Sequence, residues 1–189
     1  MQAKKLLYLT MVRSKLEVGV PVWSSHRKEN LMKIEGVQRS ATRFILRSDI
    51  CYKYGLSACG LMPLFLRQEM LDLSFLFKCR QRFYSLDLSE FCSEYYPIRR
   101  TRRASTGPFY NLPFCKTETF ANSYFSRIVP LWNNLSIELR QCSSLSIFKP
   151  LLKSHYLSLF KYQFTTSNTY SWITKCRCAN CRPKLSTLI

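Results

Sequence analysis

The sequence contains few of the residues from which catalytic centres are built. Aspartate occurs three times, at Asp49, Asp72 and Asp87, and none of the three has another acid beside it. Because Mg²⁺ is held by converging carboxylates, this pattern argues against polymerase and nuclease chemistry. The two histidines, His26 and His155, form no relay pattern with a nucleophile, and the five glycines form no phosphate-binding loop. We therefore expect no enzymatic activity and no cofactor.

The sequence also lacks long apolar runs and a paired cysteine framework. No stretch approaches the ~20 apolar residues that a membrane-spanning helix needs, so no membrane partner is expected. The apolar run Leu6 to Val12 imitates a signal peptide, but Arg13 and Lys15 follow it without a small-residue cleavage site, which favours an ordinary helix. The nine cysteines comprise six scattered residues and a terminal cluster of three, and most of them are expected to be reduced, small core residues of a protein in the cytosol or the nucleus.

What the sequence does have is a large excess of positive charge. Lysine and arginine number 29 against 11 acidic residues, which gives a formal net charge of +18 and an isoelectric point near 9.8. A phosphate backbone would relieve the self-repulsion of such a chain and would release its own condensed counterions. RNA or DNA is the expected partner. The alternative is that the basic residues only keep the protein soluble.

The periodicity of apolar residues predicts a mainly α fold. A helix over 28–47 is amphipathic, and its apolar residues are Leu31, Ile34, Val37, Ala41, Phe44 and Ile45. A loop is expected from Asp49 to Leu61, followed by a helix over 64–83 that is buried most of the way round. A further helix begins with Ser123 as its cap, and Pro130 should kink or divide it. The last helix covers 145–160, with Pro150 near its start.

These elements divide the chain into four parts. Residues 1–97 form an N-terminal helical part, and 98–118 form a basic arm with short extended pieces around it. Residues 119–162 form a C-terminal helical part. Residues 163–189 form an irregular tail that contains cysteine.

The basic arm is the strongest candidate for contact with nucleic acid. It carries four arginines, Arg99, Arg100, Arg102 and Arg103, and no acidic residue occurs from Pro97 to Thr117. Four guanidinium groups so close together are unfavourable without an anionic partner. A nuclear-localisation signal is the main alternative. Aromatic residues beside the arm either stack on unpaired bases or simply pack; they are Tyr95, Tyr96, Phe109 and Tyr110.

A second basic candidate lies on the first long helix. Arg39, Arg43 and Arg47 recur at intervals of four residues, so they are expected to form one helical stripe that could follow phosphates. The alternative is a solvated face.

Three cysteines lie near the C-terminal end of the sequence, at Cys176, Cys178 and Cys181, and their basic neighbours are Lys175, Arg177 and Arg182. Basic neighbours lower the pKa of thiols, and three thiolates suit Zn²⁺. A fourth ligand is needed, and the nearest histidine, His155, lies 21 residues upstream. Zinc is therefore one interpretation, and a reduced or redox-sensitive tail without metal is the other.

Several segments, taken in order, resemble the region after the palm in reverse transcriptases of non-LTR (LINE-type, jockey-like) retrotransposons. The segments are Arg13 to Glu17, Val22 to Ser24, Ile34 to Arg43, Leu61 to Arg67, Ser123 to Arg127, Leu131 to Leu135 and Leu145 to Lys149. The most specific residues are Trp132, Asn133, Phe148 and Lys149. Ser25 and Ser136 stand where the family usually has proline, which suggests a divergent or decayed copy.

The resemblance implies a helical, thumb-side module that helps to hold RNA template and primer without catalytic aspartates of its own. It implies a nuclear or cytoplasmic protein that binds nucleic acid. It also implies that the parent polymerase palm, where present, is a partner. Two alternatives stay open. The chain could be an interaction module that docks on that palm through apolar helix faces and Trp132, or a truncated retroelement relic without function.

Overall fold

The computed structural model describes residues 1–24, 27–95, 108–111 and 114–166 and confirms the mainly α class. The N-terminal helix expected from the sequence runs as α1, a π-helical segment (Tyr8–Arg13) and α2. Within the described residues no helix is long and apolar enough to cross a membrane. The α-helices are α1 (Gln2–Leu7), α2 (Ser14–Glu17), α3 (Val20–Trp23), α4 (Lys28–Leu46), α5 (Tyr52–Cys59), α6 (Leu64–Arg80), α7 (Glu118–Ala121), α8 (Tyr124–Asn133), α9 (Ile137–Arg140) and α10 (Leu145–Thr166).

The chain folds into two compact units. The first comprises Met1–Val18, Ser25–Arg67 and the chain from Leu157 onward, and the second comprises Gly19–Ser24 and Gln68–Tyr156. Each unit is built from separate segments of the sequence. Two of the boundaries fall within helices, at residues 67/68 in α6 and 156/157 in α10.

In the first unit, α4 has the predicted position but buries a different face. Its buried residues are Glu35, Gln38, Thr42 and Ile45, whereas the side chains of Val37 and Phe44 are 41% and 53% exposed. The apolar face inferred from spacing is therefore wrong in part, since Ile45 is buried and Leu31, Ile34 and Ala41 are half-buried. The polar face can be buried because its groups find hydrogen-bond partners on other segments of the unit.

The loop expected from Asp49 to Leu61 is also wrong in part, because it contains α5. Gly55 lies in the middle of this helix, where a Cβ atom would meet Thr42 of α4 at 3.4 Å. The glycine is therefore a close-packing residue between the two helices and not a loop signal. Gly60, with a φ of +58°, ends the helix, and the Leu61 N–H donates to the Leu56 carbonyl.

Helix α6 matches the expectation of burial most of the way round, since each of its residues is buried or half-buried. It ends at Arg80 and not at Phe83, because Arg82 takes a left-handed conformation with a φ of +57°. The Phe83 N–H donates to the Lys78 carbonyl and the Arg82 N–H donates to the Cys79 carbonyl. This pair of bonds satisfies carbonyls at the helix end, as in a Schellman motif.

The second unit contains a two-stranded antiparallel ladder and the helices that pack on it. The strands are β1 (Glu94–Tyr95) and β2 (Phe109–Tyr110). Helix α8 begins after Ser123 as predicted, but Pro130 lies inside it and does not divide it. Helix α10 extends six residues beyond the predicted end at 160, and Pro150 lies in its early part. Five of the described cysteines are buried, as expected for small core residues: Cys51, Cys59, Cys79, Cys92 and Cys142.

Candidate nucleic-acid interface

The two strands hold the chain on either side of the arginine-rich segment. Tyr95 pairs with Phe109 and Glu94 pairs with Tyr110, so the chain leaves β1 and enters β2 at neighbouring points. The predicted contacts Arg99, Arg100, Arg102 and Arg103 belong to the connection between these strands, as does Tyr96, and they lie outside the described residues. What the structure shows is how the two ends of this connection are fixed.

In one cross-strand pair, an exposed Glu94 lies beside Tyr110, which points into the second unit. Tyr110 is buried, and its hydroxyl donates to Glu94 Oε1 at 3.0 Å. The guanidinium of Arg80 lies 3.1 Å from the same carboxylate oxygen and donates through Nη1 to the Arg140 carbonyl at 2.9 Å. Burial, together with Glu94, raises the pKa of Tyr110, so its hydroxyl remains a donor. These bonds join β1, β2, α6 and the end of α9.

Residues of the resemblance fix β2 from the other side. Asn133 Nδ2 donates to the Tyr110 carbonyl at 2.9 Å, and Asn133 Oδ1 accepts from the Tyr110 N–H at 3.0 Å. The Trp132 indole N–H donates to the Pro108 carbonyl at 3.3 Å. Asn133 therefore takes the place that a third strand would have beside Tyr110. Trp132 and Asn133 thus anchor the part of the chain that follows the arginines in the sequence.

Trp132 and Phe148 form the core beneath this anchor. Trp132 is 0% exposed, and its ring lies 6.1 Å from that of Phe148, which stacks on Phe77 at 4.2 Å. A side chain enclosed in this way offers no surface to another protein, so the expectation that Trp132 docks on a polymerase palm is wrong. Lys149, next to Phe148, is exposed.

The other cross-strand pair is an aromatic stack. The rings of Tyr95 and Phe109 are 5.6 Å apart, with their planes at 29°. The Arg140 guanidinium carbon lies 3.9 Å from the Phe109 ring centroid, and Arg140 is 0% exposed. Its Nε donates to the Leu135 carbonyl at 3.1 Å. Sequence reasoning did not single out Arg140, because nothing local distinguishes it from an exposed arginine.

The predicted arginine stripe on α4 is only partly formed. Arg39 is half-buried, with its guanidinium 5.1 Å from the Tyr52 ring, and Arg43 forms an ion pair with Asp49 at 2.8 Å. Arg47 is exposed but has a φ of +52° and caps the helix, so it does not continue the stripe. The prediction of one helical row of three arginines is therefore wrong in its geometry.

The segment Ile34 to Arg43 instead supplies a buried hydrogen-bond network to the first unit. Gln38 Nε2 donates to the Met62 carbonyl at 3.0 Å and to the Tyr52 hydroxyl at 3.1 Å, and Gln38 Oε1 accepts from the Tyr8 hydroxyl at 2.7 Å. Glu35 accepts from the Tyr52 hydroxyl and from the Leu64 N–H, the latter at 2.9 Å.

Glu35 thereby caps the first turn of α6 from a distant helix. Its carboxylate also accepts from the backbone of Phe65, and its position at a helix N-terminus favours negative charge. Burial is the larger effect and raises the pKa of Glu35 to about 7. These residues are structural. No sequence signal identified them, because each polar group is satisfied by a segment far away in the chain.

Metal binding has no support among the described residues. No group of three or more histidine, cysteine, aspartate or glutamate side chains in this part of the chain could hold an ion. The zinc prediction for Cys176, Cys178 and Cys181 falls outside the described residues, so it stays a prediction.

The comparisons with known proteins give no assignment. No family model matches the sequence, and no curated protein or solved structure matches it. The likeness to the post-palm region of non-LTR reverse transcriptases therefore stays a prediction from the sequence motifs.

Proposed function

We propose that the chain is a non-catalytic module that binds RNA or DNA through the arginines between its two strands. The observation that carries the proposal is the position of these arginines. They occupy a stretch without acidic residues, from Pro97 to Thr117, and the strand residues that precede and follow the arginines are hydrogen-bonded within the second unit. A cluster of cations close together in the sequence, without acids between them, is suited to a phosphate backbone.

The pairing of the few acidic residues with arginines outside the arm supports this proposal. With 29 basic and 11 acidic residues, at least 18 basic residues have no acid of their own to pair with. In the described part of the chain, acids form ion pairs with Arg13, Arg43, Arg67, Arg80 and Arg127. In most of these ion pairs the acidic side chain is largely buried within its own unit. The arginines of the arm, by contrast, have no acid near them in the sequence.

The finer proposal is that this module belongs to a reverse transcriptase of the non-LTR type. Its support is the ordered series of motifs and the structural use of their residues. Glu35, Gln38, Trp132, Asn133 and Phe148 are all buried or hydrogen-bonded in ways that a fold would need to keep. In such an enzyme the module would hold template and primer, and the catalytic aspartates would be supplied by the palm.

The proposal is tested by replacing the four arginines with glutamine in the full chain and measuring filter binding over a series of salt concentrations. The logarithm of the binding constant falls with the logarithm of salt by about 0.7 to 0.9 per phosphate contact. Loss of four contacts should therefore reduce the slope by about 3.

A matched control removes the same charge elsewhere. Lys15, Lys28, Lys33 and Lys153 are exposed, and glutamine at all four lowers the net charge equally. We expect this control to change the slope less than the arginine variant does. An unchanged slope in the arginine variant, or equal changes in the two variants, would contradict binding through the arm.

A further inference from the structure

We propose that Tyr95 and Phe109 form a stacking platform for an unpaired base, so that the module prefers single-stranded nucleic acid to duplex. This inference rests on the proposed function and names the form of nucleic acid that the same site takes. It is carried by the aromatic cross-strand pair at the base of the arm and by the contacts that hold it.

The two strands place a buried tyrosine, Tyr110, and an exposed tyrosine, Tyr95, on opposite faces. Successive residues of a strand point to opposite faces, so Glu94 and Tyr110 share one face while Tyr95 and Phe109 share the other. Tyr110 is buried and its hydroxyl is bonded to Glu94. Tyr95 is 40% exposed and Phe109 is half-buried. Part of the Tyr95 side chain therefore remains accessible to a ligand.

The platform is held rigidly before any ligand arrives. Phe109 packs against both the Tyr95 ring and the Arg140 guanidinium, and Arg140 is itself fixed by the Leu135 carbonyl and by the bond that its own carbonyl accepts from Arg80. A ring held in one orientation loses little conformational entropy when a base stacks on it.

The charges beside the platform also favour a nucleic acid. The acid next to Tyr95 in the sequence, Glu94, is paired with Arg80 at 3.1 Å and accepts from Tyr110. Arg99 follows Tyr95 by four residues, so the platform adjoins the arginine-rich stretch in the sequence.

The preference for single strands follows from the chemistry of stacking. In a duplex, the two faces of an internal base are covered by its neighbours, so only the backbone is available to the protein. An unpaired base can place one face on an aromatic ring, and this contact is insensitive to sequence because every base has a π-face. Backbone contacts from the arginines would hold both forms, and the platform would add affinity for one.

The test compares two fluorescent probes by anisotropy at fixed salt, using the full chain. One is an oligothymidylate of about 20 nucleotides and the other is a blunt duplex of about the same length. Tyr95→Ala should weaken binding of the single strand by about tenfold and leave binding of the duplex unchanged. Tyr95→Phe keeps the ring and should behave like the wild type.

Tyr95→Leu separates the loss of the aromatic ring from a loss of folding, because leucine keeps apolar bulk but has no aromatic ring. It should weaken single-strand binding as alanine does, with an unchanged circular dichroism melting curve. Equal effects of Tyr95→Ala on both probes, no effect on either, or wild-type affinity in the leucine variant would overturn the platform.

The two proposals fail differently. If glutamine at the four arginines removes binding of both probes while Tyr95→Ala changes nothing, the arm binds nucleic acid and the platform is refuted. If the wild type binds neither probe even at low salt, both proposals are refuted. An oligouridylate probe in parallel should show the same loss, since stacking uses the π-face that every base has.

Discussion

Replacement of Glu35 by glutamine should change how the stability of this protein depends on pH. Glu35 is 2% exposed, and burial raises its pKa from the ordinary 4.5 to about 7 against the hydrogen bonds from Tyr52 and from the backbone of Leu64 and Phe65. The native state therefore binds a proton, between about pH 4.5 and 7, that the unfolded chain has released. The stability contributed by this group is complete below pH 4.5 and is lost as the pH rises through 7.

The size of the effect follows from the shift in pKa. A rise from 4.5 to about 7 is about 2.5 pH units, which corresponds to about 3 kcal/mol at 1.36 kcal/mol per unit. Glutamine does not titrate. The free energy of unfolding of Glu35→Gln, relative to the wild type, should therefore increase by about 3 kcal/mol between about pH 4.5 and 8. Any hydrogen bond that glutamine loses at both pH values cancels in this comparison.

The measurement is urea unfolding followed by far-ultraviolet circular dichroism at about pH 4.5, 6 and 8. Glu29→Gln is the matched control, because Glu29 is exposed on the same helix. Glu69 and Asp72, whose pKa values burial raises to about 7 and about 6, remain in every variant. The wild type and the control should therefore both lose stability with rising pH, and Glu35→Gln should lose less.

The reasoning would be refuted if Glu35→Gln and the wild type declined in parallel over this pH range. That result would mean that the pKa of Glu35 in the native state is not raised above its ordinary value of 4.5. The hydrogen bonds and the helix N-terminus would then outweigh the burial of the charge.

Three further substitutions test the second unit. Trp132→Ala should destabilise the chain by about 3 to 5 kcal/mol, since it empties a fully buried site, and thermal unfolding should show the loss whether or not nucleic acid is present. Asn133→Ala removes both hydrogen bonds to the Tyr110 backbone and should cost about 1 to 3 kcal/mol, with faster amide exchange at Tyr110 as the local readout; unchanged exchange would contradict the anchoring role. Arg82→Gly should stabilise by up to about 1 kcal/mol, because glycine takes the left-handed conformation without strain, whereas Arg82→Ala should not; equal urea midpoints for glycine and alanine would count against this explanation.

Part of this structure was determined by local sequence. The positions of α4, α6 and α10 follow from the spacing of apolar residues and from Pro63 and Pro150 near helix starts, because these signals act within one or two turns. The excess of basic residues over acids is likewise a property of composition alone, and it is the basis of the proposed partner.

The rest was decided by tertiary contacts. Glycine at position 55 predicted a loop, but it allows α5 to pack closely on α4. Glu35 and Gln38 are not among the apolar residues from which the buried face was predicted, but they are buried because Tyr8, Tyr52 and the chain around Met62 supply hydrogen bonds. A buried polar group is unfavourable by itself and acceptable only with its partners, which lie up to 30 residues away in the sequence. Such pairs are fixed by the folded chain and leave no periodic pattern in the sequence.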